Sequence, residues 1–152
     1  TAAFIPLSPA WNPFRLKTGL ARHGVLRDHR VGDRNIPFLL AIALIDLDDF
    51  KRLNDTMGHQ AGDRVLIEVA RRFREAIGDK DVAGRIGGDE FILLLGDVTE
   101  RDEVERKARH ILEAIEKPFV LQNRAYFLGA SIGVAMAPEN ATDAALLIKC
   151  AD

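Results

Sequence analysis

The order of patterns along the chain predicts an α+β fold, with helices layered on an antiparallel sheet. Three observations carry that reading. Phe38–Ile45 is an unbroken apolar run of strand length. Two pairs of short apolar runs, Val82–Ile86 with Phe91–Leu95 and Phe119–Leu121 with Tyr126–Leu128, are each joined by a compact turn, as in hairpins. Between them stand stretches whose apolar residues recur at the helical period. The succession strand, helices, hairpin, helix, hairpin, helix places antiparallel strands in one layer and helices in another.

Composition bounds the function. The 152 residues are 47% hydrophobic and 29% charged, which suits a single core-forming domain. A formal net charge of -2 supplies no basic field for a phosphate backbone, so a nucleic-acid polymer is an unfavourable partner. The single cysteine, Cys150, cannot close an internal disulfide; it reads as a small hydrophobe in a reducing, cytoplasmic setting. No apolar run approaches the roughly 20 residues of a membrane span, and the first residues lack the pattern of a signal peptide. Because the chain ends at Asp152 inside an apolar helical pattern, the expectation is a segment of a longer protein whose sensor or membrane anchor lies elsewhere.

Residues 1–37 read as a lead-in. Pro6, Pro9 and Pro13 break any period before Phe14. Leu16, Leu20, Val25 and Leu26 suggest a short helix pair interrupted near Gly24, Trp11 suits a packing anchor, and Gly32-Asp33 with Asn35-Ile36-Pro37 marks a loop. Residues 38–152 form the main domain. The run Phe38–Ile45 suits a strand buried on both faces, and it ends abruptly in Asp46, Asp48 and Asp49. Strand alternation places Asp46 and Asp48 on one side. Asp48 and Asp49 fit a solvated strand end and a helix cap, whereas Asp46 continues a run too apolar to lie at a surface.

Asp49–Met57 fits a short helix with Gly58 at its C-terminal turn. Val65, Leu66, Val69, Ala70, Phe73 and Ile77 form the apolar stripe of a longer one that Gly78 closes, with Arg71, Arg72, Arg74 and Glu75 on its solvated face. After the first hairpin, Thr99 with Asp102 resembles a helix start. Val104, Ala108, Ile111, Leu112 and Ile115 form the stripe of that helix, and Pro118 ends it. The second hairpin turns at Gln122-Asn123-Arg124. Ser131–Met136 is a further strand ending near Pro138, and Asp143–Ala151 is a final helix.

Chemistry concentrates in two places. The first hairpin turns through Gly87-Gly88-Asp89-Glu90, with two adjacent acids at its tip. Glycines there let a phosphate or hydrated cation approach the backbone, although the four residues alone also fit an ordinary solvated turn. If the strand ending at Asp46 lies beside this hairpin, as in a β-α-β-β-α-β arrangement, Asp46, Asp89 and Glu90 meet at one sheet end. Carboxylates so gathered repel one another unless a cation sits among them. Hard oxygen ligands with room for phosphate oxygens select Mg²⁺, or Mn²⁺ in its place. The second place is Lys51–Asp63. Asn54 offers an amide donor and acceptor and Asp63 an acceptor pair, which suit the edge of guanine; a helix-surface asparagine and a helix N-terminal charge are the plain alternatives. His59 suits a turn or packing role.

Ile45-Asp46-Leu47-Asp48-Asp49-Phe50-Lys51-Arg52-Leu53-Asn54-Asp55-Thr56-Met57-Gly58-His59, Ala61-Gly62-Asp63, Arg85-Ile86-Gly87-Gly88-Asp89-Glu90-Phe91 and Ala130-Ser131-Ile132-Gly133-Val134-Ala135 together resemble the GGDEF-domain diguanylate cyclase family over about residues 38–152. The resemblance implies a nucleotidyl-cyclase-like fold with a ferredoxin-like βαββαβ core. It implies condensation of two GTP into cyclic di-GMP and two pyrophosphates across an antiparallel homodimer, in bacterial second-messenger signalling. Position by position, it implies that Asp46, the Leu47 carbonyl and Glu90 bind Mg²⁺. Asp89 lies at the metal and the reacting hydroxyl, as ligand or base, so that Asp89 and Glu90 are the catalytic pair. Asn54 and Asp63 read guanine, the backbone of Asp49, Phe50 and Lys51 with the Lys51 side chain faces the β- and γ-phosphates, and Gly87 and Gly88 admit the α-phosphate.

Three features depart from the family pattern. Its product-inhibition Arg-x-x-Asp is Gly78-Asp79-Lys80-Asp81 here, keeping the acid without the arginine. Its N-terminal Asp-x-Leu-Thr-Gly-Leu-x-Asn-Arg has become Arg15-Leu16-Lys17-Thr18-Gly19-Leu20-Ala21-Arg22-His23. The lysine and arginine that contact distal phosphates in relatives fall past Asp152. The resemblance also implies fusion to sensor or phosphodiesterase domains. The alternative reading is a catalytically weak GTP-binding regulatory domain joined to an EAL-type cyclic di-GMP phosphodiesterase.

Overall fold

The computed structural model describes residues 3–6, 30–31, 34–35, 39–141 and 144–152. Trp11, the expected helix pair over 14–30 apart from Arg30 itself, and the altered segment Arg15–His23 lie outside the described residues, as does Asp143.

The elements follow in the order β1 (Ala3–Pro6), β2 (Arg30–Val31), β3 (Arg34–Asn35), β4 (Leu39–Leu47), α1 (Phe50–Met57), α2 (His59–Ala76), β5 (Val82–Gly87), β6 (Glu90–Val98), α3 (Arg101–Glu116), β7 (Phe119–Leu121), β8 (Arg124–Tyr126), β9 (Ala130–Ala137) and α4 (Ala144–Ala151). Five strands form the main sheet in the order β1-β5-β6-β4-β9. Every neighbouring pair is antiparallel except β1 with β5. Two crossovers interlock: β4 reaches β5 through α1 and α2 with β6 between them, and β6 reaches β9 through α3 with β4 between them. This is the predicted βαββαβ plan, and the α+β class holds.

β4 is central because both of its faces are apolar. Ala41, Ala43, Ile45 and Leu47 face the larger core, with Phe50 and Leu53 of α1, Val65, Val69 and Phe73 of α2, and Val104, Ile111 and Ile115 of α3. Leu40 and Ile42 face the opposite core, which Leu147 and Ala151 of α4 help to close. Phe73 meets Phe91 edge-on at 5.2 Å and 80°, an arrangement contributing about 0.5–1.5 kcal/mol beyond area burial.

Several local expectations are corrected. Ala3–Pro6, expected to be irregular, pairs with β5 and covers a sheet edge that would otherwise present unpaired backbone groups. Asn35, expected in a loop, pairs with Arg30. The second hairpin turns in two residues rather than three: Gln122 and Asn123 both take positive φ, 49° and 60°, so Arg124 already pairs with Leu121 and Phe127 falls outside the strand. Thr99 bonds Glu103 rather than Asp102: its amide and hydroxyl both donate to the Glu103 carboxylate. Helix α2 ends at Ala76, with Ile77 extended but still buried. Cys150 is exposed on α4 rather than packed as a hydrophobe.

Arg72 is the largest departure, because it belongs to the interior and not to a solvated face. Its side chain is 8% exposed, its guanidinium lies 3.9 Å from the centre of the Phe119 ring, and Nε donates to Glu68. Nη1 donates to the carbonyls of Ala114, Ile115 and Lys117, and Nη2 to that of Pro118. Helix α3 ends at Glu116-Lys117-Pro118 without the glycine that usually satisfies terminal carbonyls, so a side chain from α2 does so. Hydrogen bonds from Arg71 hold the Glu68 carboxyl down to about 2 from an ordinary 4.5, aided by Arg72 and opposed by partial burial. A depressed carboxyl stabilises the fold above its unfolded-state value, and that stabilisation is lost as pH falls through the folded value.

Arg72→Met, which keeps the aliphatic stem and removes the donors, is expected to lower unfolding free energy by about 2–4 kcal/mol in urea titrations. Glu68→Gln is expected to flatten the loss of stability between pH 4.5 and about 2, measured as melting temperature against pH.

Candidate functional site

The site forms at one end of the sheet, where the apolar pattern of β4 stops. Asp46 is the direct partner of Glu90 on β6 and of Ser131 on β9. The Leu47 amide donates to the Asp89 carbonyl at 3.3 Å, tying the end of β4 to the hairpin turn. On the other side the Asp48 amide donates to the Gly129 carbonyl at 3.0 Å, and the Ser131 hydroxyl donates to the Asp48 carboxylate at 3.0 Å. Asp46, Asp89 and Glu90 therefore share one sheet end, as the sequence led us to expect. Asp46 itself is exposed, which corrects the expectation that it is buried: the apolar run stops one residue earlier and the strand emerges there.

Acid crowded onto a strand end has an electrostatic consequence. Partial loss of hydration, then the charge of Asp89, then that of Asp48 push the Asp46 carboxyl above its ordinary 3.8, while a hydrogen bond from the Leu47 amide works in the opposite direction. Like charges set directly opposite on neighbouring strands are destabilising. Among the described residues no group of three or more His, Cys, Asp or Glu side chains is assembled closely enough to cage a metal. The donor set suits Mg²⁺ nonetheless, since that ion is commonly held by one or two carboxylates, with waters and substrate phosphates completing the shell.

The hairpin turn is a two-residue one. Gly88 has φ 53°, Asp89 follows it, and Glu90 is already the first residue of β6 rather than part of the tip. The Arg85 guanidinium donates twice to the Gly88 carbonyl, at 2.9 and 2.7 Å, and so fixes the peptide that precedes Asp89. Arg85 carries no signal of this role in the sequence beyond its place two residues before a glycine pair, from which its side chain reaches forward to the turn. A Cβ placed on Gly87 or Gly88 would meet nothing within 4 Å, so the turn backbone faces open space.

Helix α1 starts beside this end. Asp49 occupies its N-cap position with φ 61°, a left-handed conformation uncommon outside glycine, and makes no side-chain cap bond. It faces Arg52 at 3.3 Å instead, on the surface. The Phe50 side chain is buried in the core, so only its backbone can serve a ligand, while Lys51 is exposed. Gly58, at φ 83°, is the only residue between α1 and α2, and this tight joint brings Asn54 against Gly62, one residue before the exposed Asp63. Asn54 Oδ1 is buried and has no hydrogen-bond partner.

Asp81 is committed elsewhere. It is 1% exposed, accepts from the amides of Gly78 and Gly96 at 2.9 Å each, and pairs with Lys107 of α3 at 2.9 Å. Among the described residues no helix is long and apolar enough to cross a membrane.

Comparison with known proteins shows likeness along the same segments. The family described as the diguanylate cyclase GGDEF domain matches residues 29–152. The diguanylate cyclase TpbB of Pseudomonas aeruginosa is 38% identical over 114 residues, covering 74% of this chain and 26% of that protein. The cyclic di-GMP phosphodiesterase NbdA of the same organism is 37% identical over 110 residues, covering 72% of this chain and 14% of that protein. Among solved structures, the GGDEF domain of TpbB superposes with a TM-score of 0.76 at 33% identity, covering 92% of this chain and 81% of that one. The chain thus spans about a quarter or less of the length of these curated relatives.

Asp46→Asn removes the repelling charge. In the absence of metal it is expected to raise stability at neutral pH by a few tenths of a kcal/mol, with the gain vanishing as pH falls below 3.8. Melting curves across pH test this. A gain that persisted in acid would show that Asp46 is not under electrostatic pressure.

Proposed function

The chain belongs to the GGDEF family of diguanylate cyclase domains, and from that membership we propose that it condenses two GTP molecules into cyclic di-GMP and two pyrophosphates. The observation that carries the proposal is the direct strand partnership of Asp46 and Glu90, with Asp89 in the adjoining turn.

Asp46, Glu90 and the Leu47 carbonyl would hold Mg²⁺, or Mn²⁺ in its place, with Asp89 beside them as a further ligand or at the reacting hydroxyl. The chemistry that ion supplies is neutralisation of charge at the phosphate oxygens and support for ionising the attacking hydroxyl. The protein's own groups do the positioning. Backbone amides in the uncapped first turn of α1, at Phe50 and Lys51, together with the Lys51 side chain, face the β- and γ-phosphates; Asp49 supplies the turn that aims them. Gly87 and Gly88 leave the hairpin backbone open to the α-phosphate. Asn54 and Asp63 read the guanine edge. Each protomer of an antiparallel dimer presents one GTP. The 3′-hydroxyl of one nucleotide attacks the α-phosphorus of the other in line, an ester bond forms, the bond to the β-phosphate breaks, and pyrophosphate leaves. Asp89 lies beside the reacting hydroxyl as ligand or as acceptor of its proton.

A second reading, a GTP-binding regulatory domain fused to a phosphodiesterase, draws support from the relative named as a cyclic di-GMP phosphodiesterase and from the altered Arg15–His23 segment. Incubating the protein with GTP and Mg²⁺ and measuring cyclic di-GMP separates the two. Product supports the cyclase, and tight GTP binding without product supports the regulatory domain.

Glu90→Gln is expected to reduce turnover by about 100-fold or more while leaving the melting temperature within a few degrees of the parent; retained turnover would contradict its role as a metal ligand. Asp63→Ala is expected to weaken GTP binding by about 10- to 100-fold with little change for ATP, and equal losses for both would remove it from base reading.

A further inference from the structure

Gly62 lies inside α2, where glycine is ordinarily unfavourable by about 1 kcal/mol relative to alanine. Its φ is not in the left-handed region, so backbone conformation does not require glycine there. The space around it does. A Cβ on Gly62 would lie 1.8 Å from Asn54 Oδ1, 2.8 Å from Cγ and 3.2 Å from Nδ2. All three are atoms of one amide, so the missing methyl leaves the volume that the Asn54 amide fills.

That amide is also incomplete. Oδ1 is buried with no partner, which ordinarily costs about 1–3 kcal/mol. Asn54 reaches this position because Gly58 alone separates α1 from α2, and the Gly58 amide donates to the Asn54 carbonyl at 2.8 Å, fixing the last turn of α1 above the first turns of α2. Ala61 and Gly62 are buried beneath it, while Asp63 is exposed beside it. A glycine disfavoured by its helix and an amide disfavoured by its burial are thus two halves of one contact.

We infer that Gly62 is a specificity-determining position: by leaving room for the Asn54 amide it fixes that amide's orientation, and through it the preference for a guanine over an adenine nucleotide. The inference rests on the reading of Asn54 as a base contact. Gly62 touches no substrate and acts as a positioning residue. An alanine there forces Asn54 into another rotamer. In the observed rotamer Oδ1 is turned inward onto Gly62, which leaves Nδ2 to donate to guanine O6, where adenine carries an amine instead; with a methyl at position 62 the amide swings and Nδ2 no longer meets that acceptor.

A double-mutant cycle tests it with Gly62→Ala, Asn54→Ala and the double variant, each titrated with GTP, ITP and ATP in the presence of Mg²⁺ and each melted without nucleotide. Gly62→Ala is expected to lose about tenfold or more in affinity for GTP and for ITP, which share O6, a drop that ATP does not share. Asn54→Ala and the double variant are expected to bind GTP equally, because the clash disappears with the side chain. In melting, Gly62→Ala is expected to destabilise the parent but stabilise the Asn54→Ala background, where only helix propensity remains. An unchanged GTP-to-ATP preference in Gly62→Ala, or additive losses in the double variant, would overturn the inference. If the unaltered chain bound GTP and ATP equally, the guanine reading would fall with it, while the melting cycle would still decide whether the two positions are coupled.

Discussion

Two carboxylates placed opposite each other on neighbouring antiparallel strands are a constraint that the rest of this molecule is built to hold. Asp46 is repelled by Asp89 and Asp48, yet the pairing of β4 with β6 leaves it no freedom to move away along the sheet. That pairing is enforced from both faces. A register slip of one residue would turn Ala43, Ile45 and Leu47 out of one core and Leu40 and Ile42 out of the other. The apolar burial of the central strand, of order 1.5–3 kcal/mol for each large side chain, therefore maintains a local arrangement that is unfavourable by a fraction of one such residue.

Around that pair the chain ties its loops to the strand ends by short, specific bonds. Leu47 bonds the hairpin turn, Asp48 bonds Gly129 and Ser131, and Arg85 clamps the peptide before Asp89. On the far side of the domain the same logic secures the scaffold. Arg72 satisfies the end of α3, and Asp81 with Lys107 joins the start of the hairpin to that helix. Two of the acids that attract notice in the sequence thus divide their roles by place. Asp46 stands open at the sheet end, and Asp81 is buried and fully occupied with internal partners.

What could be read in advance follows from where the information lies. The buried strand of residues 39–47, the stripe of α2 and the hairpin about Gly88 are local patterns, and each is visible within a dozen residues. The meeting of Asp46 with Glu90 required only the arrangement of strands. Arg72 was not legible, because its purpose is set by the end of a helix more than forty residues away whose missing cap is the only clue. The two-residue turn at Gln122-Asn123 was missed because neither residue is glycine, although asparagine tolerates the left-handed region. The role of Gly62 was hidden for a related reason, since a missing side chain leaves no mark until its neighbour is placed.

The central claim is that the sheet end bearing Asp46 and Glu90 is where a divalent cation meets the nucleotide. Paramagnetic broadening of backbone amide resonances by substoichiometric Mn²⁺, recorded with GTP present, tests it most directly. The account predicts that signals from Asp46–Lys51 and Gly87–Phe91 disappear first while those of α3 persist. Broadening centred elsewhere, or none at these two segments, would contradict it.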